Sequence, residues 1–266
     1  MTDVPPASGA GWDPGQYERF REERAQPFRD LAALVEREPS MRACDLGCGT
    51  GELTAWLHAE LGATETVGVD ASETMLARAG EQRRAGLRFE QADIREWGPA
   101  SPPDLIFSNA ALQWVDGHEQ LWPRLAGLLA PGGQIAVQMP VNDDHPSHVI
   151  ARALAGSEFR DQLEGYERVF PVLPPVRYAE LLHALGFERQ QVRMQVYAHV
   201  LPETRAVIEW VKGSLLTPFR ERLSAEDYAH FLDLYEHELL VAEGDHRPYL
   251  YPFKRILMWG RRPAEG

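Results

Sequence analysis

Residues 45–51 read Asp45-Leu46-Gly47-Cys48-Gly49-Thr50-Gly51, and this stretch decides the fold. Upstream, Arg42-Ala43-Cys44-Asp45-Leu46 has the short apolar run of a buried strand. Downstream, Leu53, Trp56, Leu57 and Leu61 fall on one face of a helix. Glycines at alternate positions let the backbone turn sharply and approach a ligand closely. A helix starting near Glu52 adds unpaired N–H groups. A glycine loop between strand and helix is the context in which this motif gains meaning.

Outward from it, strands are predicted at 42–46, 65–69, 87–91, 104–108 and 134–139, with helical patterns between several of them. Ser72 is placed to cap a helix carrying Met75, Leu76 and Ala79. Leu121, Leu125, Leu128 and Leu129 mark another helix, stopped by Pro131-Gly132-Gly133. Such alternation implies an α/β fold with a doubly wound, mostly parallel sheet covered on both faces. Before it, residues 1–11 read as a tail, and Tyr17, Phe20, Phe28, Leu31, Leu34 and Val35 suggest two short helices bent at Pro27. After Pro140, helices are expected near 147–164, 178–185, 203–216 and 224–242. Val192, Met194, Val196, Ala198 and Val200 alternate as one strand face, and Tyr-Pro-Phe-Lys-Arg-Ile-Leu-Met-Trp forms a last strand. The expected division is a helical lid at 1–35, a binding core at 36–140, a capping helical region at 141–250 with a sheet strand near 189–200, and a final core strand at 251–266.

The chain has 266 residues with 27 Lys+Arg against 40 Asp+Glu, a formal charge of −13. That balance argues against wrapping nucleic acid or docking on an anionic membrane. Cys44 and Cys48 alone make neither a disulfide framework nor a metal-ligand set. No segment reads as a signal peptide or a membrane span, so a soluble cytoplasmic protein is expected.

Two more acids sit where the carboxyl edge of the sheet is expected. Asp70 ends the second strand about twenty residues after the glycines, where a carboxylate accepts ribose hydroxyls in doubly wound folds. Asp93 ends the third. Singly, each reads equally well as a helix cap. Asp45 would repel a pyrophosphate and favour an ammonium or sulfonium group.

These residues resemble the class I S-adenosylmethionine-dependent methyltransferases, whose first motif is similar to 45–51. The resemblance extends through Gly-Val-Asp-Ala-Ser at 68–72, Asp93, and Leu-Ala-Pro-Gly-Gly before the fifth strand. It implies a Rossmann-like fold and S-adenosylmethionine as cofactor, with no metal. It places Asp45, Gly47, Cys48, Gly49 and Gly51 at the methionine end, Asp70 and Ala71 at the ribose, Asp93 and Ile94 at the adenine, and Tyr17, Arg24 and Asn109 elsewhere around the cofactor.

Across nearly the whole chain the sequence is similar to the trans-aconitate 2-methyltransferases. That likeness rests on Trp12-Asp13-Pro14 with Tyr17, Glu23-Arg24, Pro27, residues 92–97, 108–114, 136–140 and 208–213, and Pro252-Phe253-Lys254-Arg255. It implies esterification of a carboxylate on a small polycarboxylic acid. Thr217 departs from it, standing where the family usually carries an arginine. A carboxylate is ionised at neutral pH, so no general base is needed. Candidates for shaping or binding the acid are Trp12, Gln113, Trp114, Arg177, Tyr178, Lys254 and Arg255. His118, His145 and His148 read as solvated loop residues.

Other readings stay open, among them a small-molecule N- or C-methyltransferase. Malonyl-acyl-carrier-protein O-methyltransferases share a similar Ser-Asn-x-x-x-Gln-Trp, though an acidic carrier would call for a basic patch. A non-catalytic scaffold would be expected to have lost the glycines or Asp70, and both are intact.

Overall fold

The computed structural model describes residues 21–167 and 170–264, with the side chains of 21–24 outside that description. Trp12 and Tyr17, and the side chain of Arg24, therefore lie outside the described residues.

The five expected strands form as β1 (Arg42–Leu46), β2 (Glu65–Asp70), β3 (Leu87–Gln91), β4 (Leu105–Asn109) and β5 (Gln134–Pro140). They pair in parallel, and β6 (Arg189–Leu201) and β7 (Tyr249–Arg261) complete one seven-stranded sheet in the order β3-β2-β1-β4-β5-β7-β6. Among the described residues only β7 runs against its neighbours, pairing antiparallel with both β5 and β6. The order reverses beside β1, so the carboxyl ends of β1 and β4 flank a crevice, the usual ligand position in such sheets.

One face of the sheet carries Cys44, Leu46, Val67, Val69, Ile106, Ile135, Val137, Ile256 and Met258. It packs on Leu121, Trp122 and Leu125 of α4 (His118–Leu128) and on Tyr178 and Leu182 of α6 (Pro175–Ala184). The other face carries Ala43, Leu105, Phe107, Ala136, Leu257 and Trp259. Phe28 and Leu31 of α1 (Arg21–Ala32) and Leu57 and Leu61 of α2 (Glu52–Leu61) cover it. The strand β2 continues into α3 (Glu73–Ala79), which Ser72 caps by accepting the Met75 N–H.

A separate cluster joins α5 (Pro146–Gly156), α7 (Ala206–Lys212), α8 (Thr217–Arg222) and α9 (Ala225–Glu243). Its other wall is Tyr249, Tyr251 and Phe253, on the part of β7 that overhangs the end of β5. This helical cap thus rests on an arm of the sheet beside the carboxyl edge.

Three expectations need correction. Pro27 lies inside α1 rather than at a bend between two helices. Burial of Ala25, Phe28, Leu31 and Ala32 outweighs the hydrogen bond that proline removes. The alternating face of β6 is covered only at its start: Val196 and Val200 are 54% and 68% exposed, while Tyr197, His199 and Leu201 point inward. Alternation shows that a strand has two faces; the cap decides which is buried. The helix expected over 147–164 stops at Gly156.

Candidate active site

The glycine loop is shaped by its neighbours as much as by any ligand. Gly47, Gly49 and Gly51 all have positive φ, at 81°, 55° and 76°. A Cβ on Gly47 would lie 2.1 Å from the Cβ of Ala111, in the loop after β4. One on Gly51 would strike the Phe89 ring at 2.7 Å. Only Gly49 of the three faces open space, so only there does the backbone lie bare toward the crevice. The loop is pinned to β2, whose Val69 carbonyl accepts the Gly47 and Cys48 N–H groups at 2.7 and 3.0 Å. The Ser108 hydroxyl ties the end of β4 to the Leu46 carbonyl at 2.8 Å.

Asp45 is the most unusual group here. It is 2% exposed, and its Oδ2 accepts the Thr54 hydroxyl at 2.6 Å. Its Oδ1 is buried with no hydrogen-bond partner among the described residues. Burial pushes the carboxyl up to about 7; the Thr54 bond works against that, and the nearby Asp70 adds to it. A buried acceptor oxygen without a donor fits a cationic N–H group from a ligand.

Asp70 ends β2 with both oxygens on backbone donors, Oδ2 taking the Gly49 N–H at 2.8 Å and Oδ1 the Ser72 N–H at 2.9 Å. It therefore fixes the glycine loop, and each oxygen keeps a second lone pair for a hydroxyl. Ala71 is exposed beside it. Asp93 accepts the Arg95 backbone N–H at 2.8 Å and its guanidinium Nε at 3.0 Å, and the pairing holds the carboxyl below its usual range. Ile94 is half-buried against the first core cluster. Asn109 closes β4 with Oδ1 buried and without a partner among the described residues. Burial, with Asp45 and Asp70 adding to it, pushes the Cys48 thiol far up, which keeps it protonated and inert.

Gln113 is buried in the 3₁₀ turn Leu112–Trp114; its amide donates to the Ala110 carbonyl at 2.7 Å, leaving Oε1 without a partner among the described residues. Trp114 is partly exposed beside it. Lys254 pairs with Asp144. Arg255 is 6% exposed, its Nη1 donating to Gln138 Oε1 at 3.3 Å.

Two proposed substrate residues are not offered to a ligand. Tyr178 is fully buried, bonded to His118 Nδ1 and accepting the Leu173 N–H at 3.0 Å. Arg177 forms exposed ion pairs with Glu119 and Glu180. Helical spacing at 175–184 cannot distinguish a core tyrosine from a ligand-facing one. Tyr178→Phe is expected to lower unfolding free energy by about 1–3 kcal/mol, because the His118 and Leu173 groups lose a buried partner. Arg177→Ala is expected to change it by less than about 0.5 kcal/mol. Urea unfolding and steady-state kinetics check both, with KM for the acid unmoved.

The histidines also differ from expectation: His118, His145 and His148 are buried. His145 caps α5 by accepting the Ser147 N–H, and burial lowers both His118 and His145. Thr217 uses its hydroxyl locally, donating to the Lys212 carbonyl at 3.2 Å. Three buried polar groups were not singled out from the sequence: Thr54, which bonds Asp45, and Gln138 and His199, each with a side-chain nitrogen that has no partner among the described residues. Thr54 sits in the first turn of the helix after the loop, and Gln138 lies within 136–140.

A methyltransferase domain family matches residues 43–133. The trans-aconitate 2-methyltransferase of Deinococcus radiodurans is 44% identical over 95% of this chain and 98% of its own. That of Methylobacterium nodulans is 41% identical over 95% and 99%. The chain belongs to the trans-aconitate 2-methyltransferase family. Solved structures agree on the fold: the YcgJ protein of Bacillus subtilis superposes with a TM-score of 0.60 at 17% identity, over 91% of this chain and 99% of that one. A phosphoethanolamine N-methyltransferase of Haemonchus contortus, solved with S-adenosylhomocysteine, superposes with a TM-score of 0.55 at 18% identity; the match covers 90% of this chain and 52% of that enzyme. For a methyltransferase of this family, the acceptor oxygens on β1 and after β4 are the atoms to explain. Among the described residues no cluster of His, Cys, Asp and Glu is placed to hold a metal ion, and no helix is long and apolar enough to cross a membrane.

Proposed function

We propose that this chain methylates a carboxylate of trans-aconitate from S-adenosylmethionine. The observation that carries the cofactor is the buried, unpartnered Asp45 Oδ1 beside the open backbone of Gly49. That pair fits the methionine ammonium and its adjoining chain. Asp70 would hold the ribose hydroxyls while keeping the loop folded through Gly49. Asp93 and Ile94 at the end of β3 suit the adenine, and Ala71 leaves the approach clear. Held by Asp45, Asp70, Asp93 and Ile94, the cofactor would supply an activated methyl group for transfer to a carboxylate oxygen and would leave as S-adenosylhomocysteine.

The residues' work is positioning. No side chain need remove a proton, since the acid arrives ionised. The buried oxygens of Asp45, Asn109 and Gln113 would suit a cationic methyl donor beside an anionic acceptor. The family relatives named for trans-aconitate support the choice of acid. S-adenosylhomocysteine release from purified protein, against a panel of di- and tricarboxylic acids and malonyl carrier protein, tests it. Turnover highest on trans-aconitate is expected. Turnover only on the carrier protein, or on none, would overturn the assignment.

A further inference from the structure

Alternation along the strands puts a polar row on one face of the sheet, the face that α1 covers. Asp45 on β1 shares parity with Ala43, Asn109 on β4 with Leu105 and Phe107, Gln138 on β5 with Ala136, and Arg255 on β7 with Leu257 and Trp259. Asn109 is the register partner of Gln138, and Pro140 that of Arg255, so the row follows the carboxyl edge. His199 on β6 continues it onto the overhanging arm, opposite Tyr251.

The unsatisfied atoms in this row change character across it. On β1 and β4 they are acceptors: Asp45 Oδ1 and Asn109 Oδ1. On β5 they become donors. Gln138 is fully buried, and because its Oε1 accepts from Arg255, the atom left without a partner among the described residues is the amide Nε2, with its N–H groups. His199, 8% exposed, has Nε2 likewise without a described partner. Burial, then the charge of Arg255, lowers His199 to about 4, so its ring is neutral and one nitrogen carries a proton to donate. Arg255 is held flat, its guanidinium carbon 4.8 Å from the Phe253 ring centroid and 5.9 Å from that of Tyr197. His199 is fixed by Trp210, 4.5 Å away between centroids.

We infer that Arg255, Gln138 and His199 form the subsite that anchors the carboxylates of the acid not being methylated. The inference rests on the proposed function and deepens it by naming how a polycarboxylate is told from a monocarboxylate. Acceptors face the cationic reactant and donors the anionic one, which orients the pair before reaction. Strands lie about 4.8 Å apart, so Gln138 and Arg255 stand roughly 5 and 10 Å across from β4. That is the order of the separation between carboxylates in a small tricarboxylic acid. A planar guanidinium suits a carboxylate bidentately, which a lysine ammonium cannot reproduce.

The test uses the full chain carrying Arg255→Lys or Gln138→Leu, with Arg177→Ala as control. Arg255→Lys is expected to raise KM for trans-aconitate about tenfold or more, as loss of a bidentate charged contact does. S-adenosylhomocysteine affinity by calorimetry and the thermal midpoint should stay near wild type. Gln138→Leu should raise KM several-fold, and both variants should narrow the preference for trans-aconitate over crotonate. An unchanged KM in both variants, or cofactor affinity weakening in step with the rise in KM, would overturn the subsite. Calorimetric titration of tricarballylate into S-adenosylhomocysteine-loaded protein separates this from the choice of substrate. Binding lost in the variants upholds the subsite even without turnover of trans-aconitate, whereas undiminished binding in the variants, or none in wild type, refutes it.

Discussion

Asp45→Asn is expected to weaken S-adenosylhomocysteine binding by about 10- to 100-fold, the worth of one charge-assisted hydrogen bond of about 1.5–3 kcal/mol. Thr54 would still have an oxygen to bond, so the loop should persist. The same change acts oppositely on the free protein. A carboxyl held at about 7 when folded, against the ordinary 3.8, keeps a proton that the unfolded chain releases between those values. Its contribution to stability is therefore full below about pH 4 and lost as pH rises toward 7, by about 4 kcal/mol in all. In Asp45→Asn that portion of the pH dependence should vanish, so the variant gains on wild type as pH rises. Binding carries the matching signature. Below pH 7 the cation must displace a proton, and wild-type affinity should fall about tenfold per pH unit while the variant's stays flat. Calorimetric titration and urea unfolding at pH 5.5, 7 and 8.5, conditions of about that spacing, read both effects. A flat wild-type profile would remove Asp45 from the cofactor site.

Gly47→Ala should be the most damaging substitution in the loop. The new Cβ would overlap that of Ala111 at 2.1 Å, at a φ of 81° that L-residues resist. A loss of roughly 2–4 kcal/mol in unfolding free energy is expected, with cofactor binding falling as the loop shifts. Adding Ala111→Gly removes the overlap and leaves only the dihedral cost, about 1 kcal/mol. A double-mutant cycle should therefore show coupling of about 1 kcal/mol or more. Gly49→Ala offers the contrast, because its Cβ meets nothing within 4 Å. It should cost only the dihedral penalty at its φ of 55°, about 1 kcal/mol, yet weaken cofactor binding by filling the crevice. Equal stability losses at both glycines would contradict this division of labour.

The parts of the fold legible in the sequence are those where one signal has one cause. Buried parallel strands must be apolar on both faces, so β1, β2, β4 and β5 stood out as runs and formed where expected. The glycine loop was legible because its positive φ values favour glycine. Face selection was not legible. Val196 and Val200 alternate as regularly as a core face, yet Tyr197 and His199 are the buried pair, Tyr197 bonded to Asp30 of α1 and His199 against Trp210 of the cap. The proposed cofactor half of the site rests on one contiguous motif and two strand ends, so it could be assembled from the sequence. The proposed carboxylate subsite draws on Gln138, His199 and Arg255, far apart in the chain and joined only by sheet order. Nothing local separates Arg255, buried among aromatic rings, from Arg177, paired with glutamates at the surface.

The most direct test of the account is the identity of the product formed from trans-aconitate and S-adenosylmethionine carrying a deuterated methyl group. Mass spectrometry should show a single trans-aconitate monoester carrying the intact label and released by mild alkali. Label appearing on the carrier protein, or on a nitrogen or carbon of any acceptor instead of a carboxylate oxygen, would contradict it.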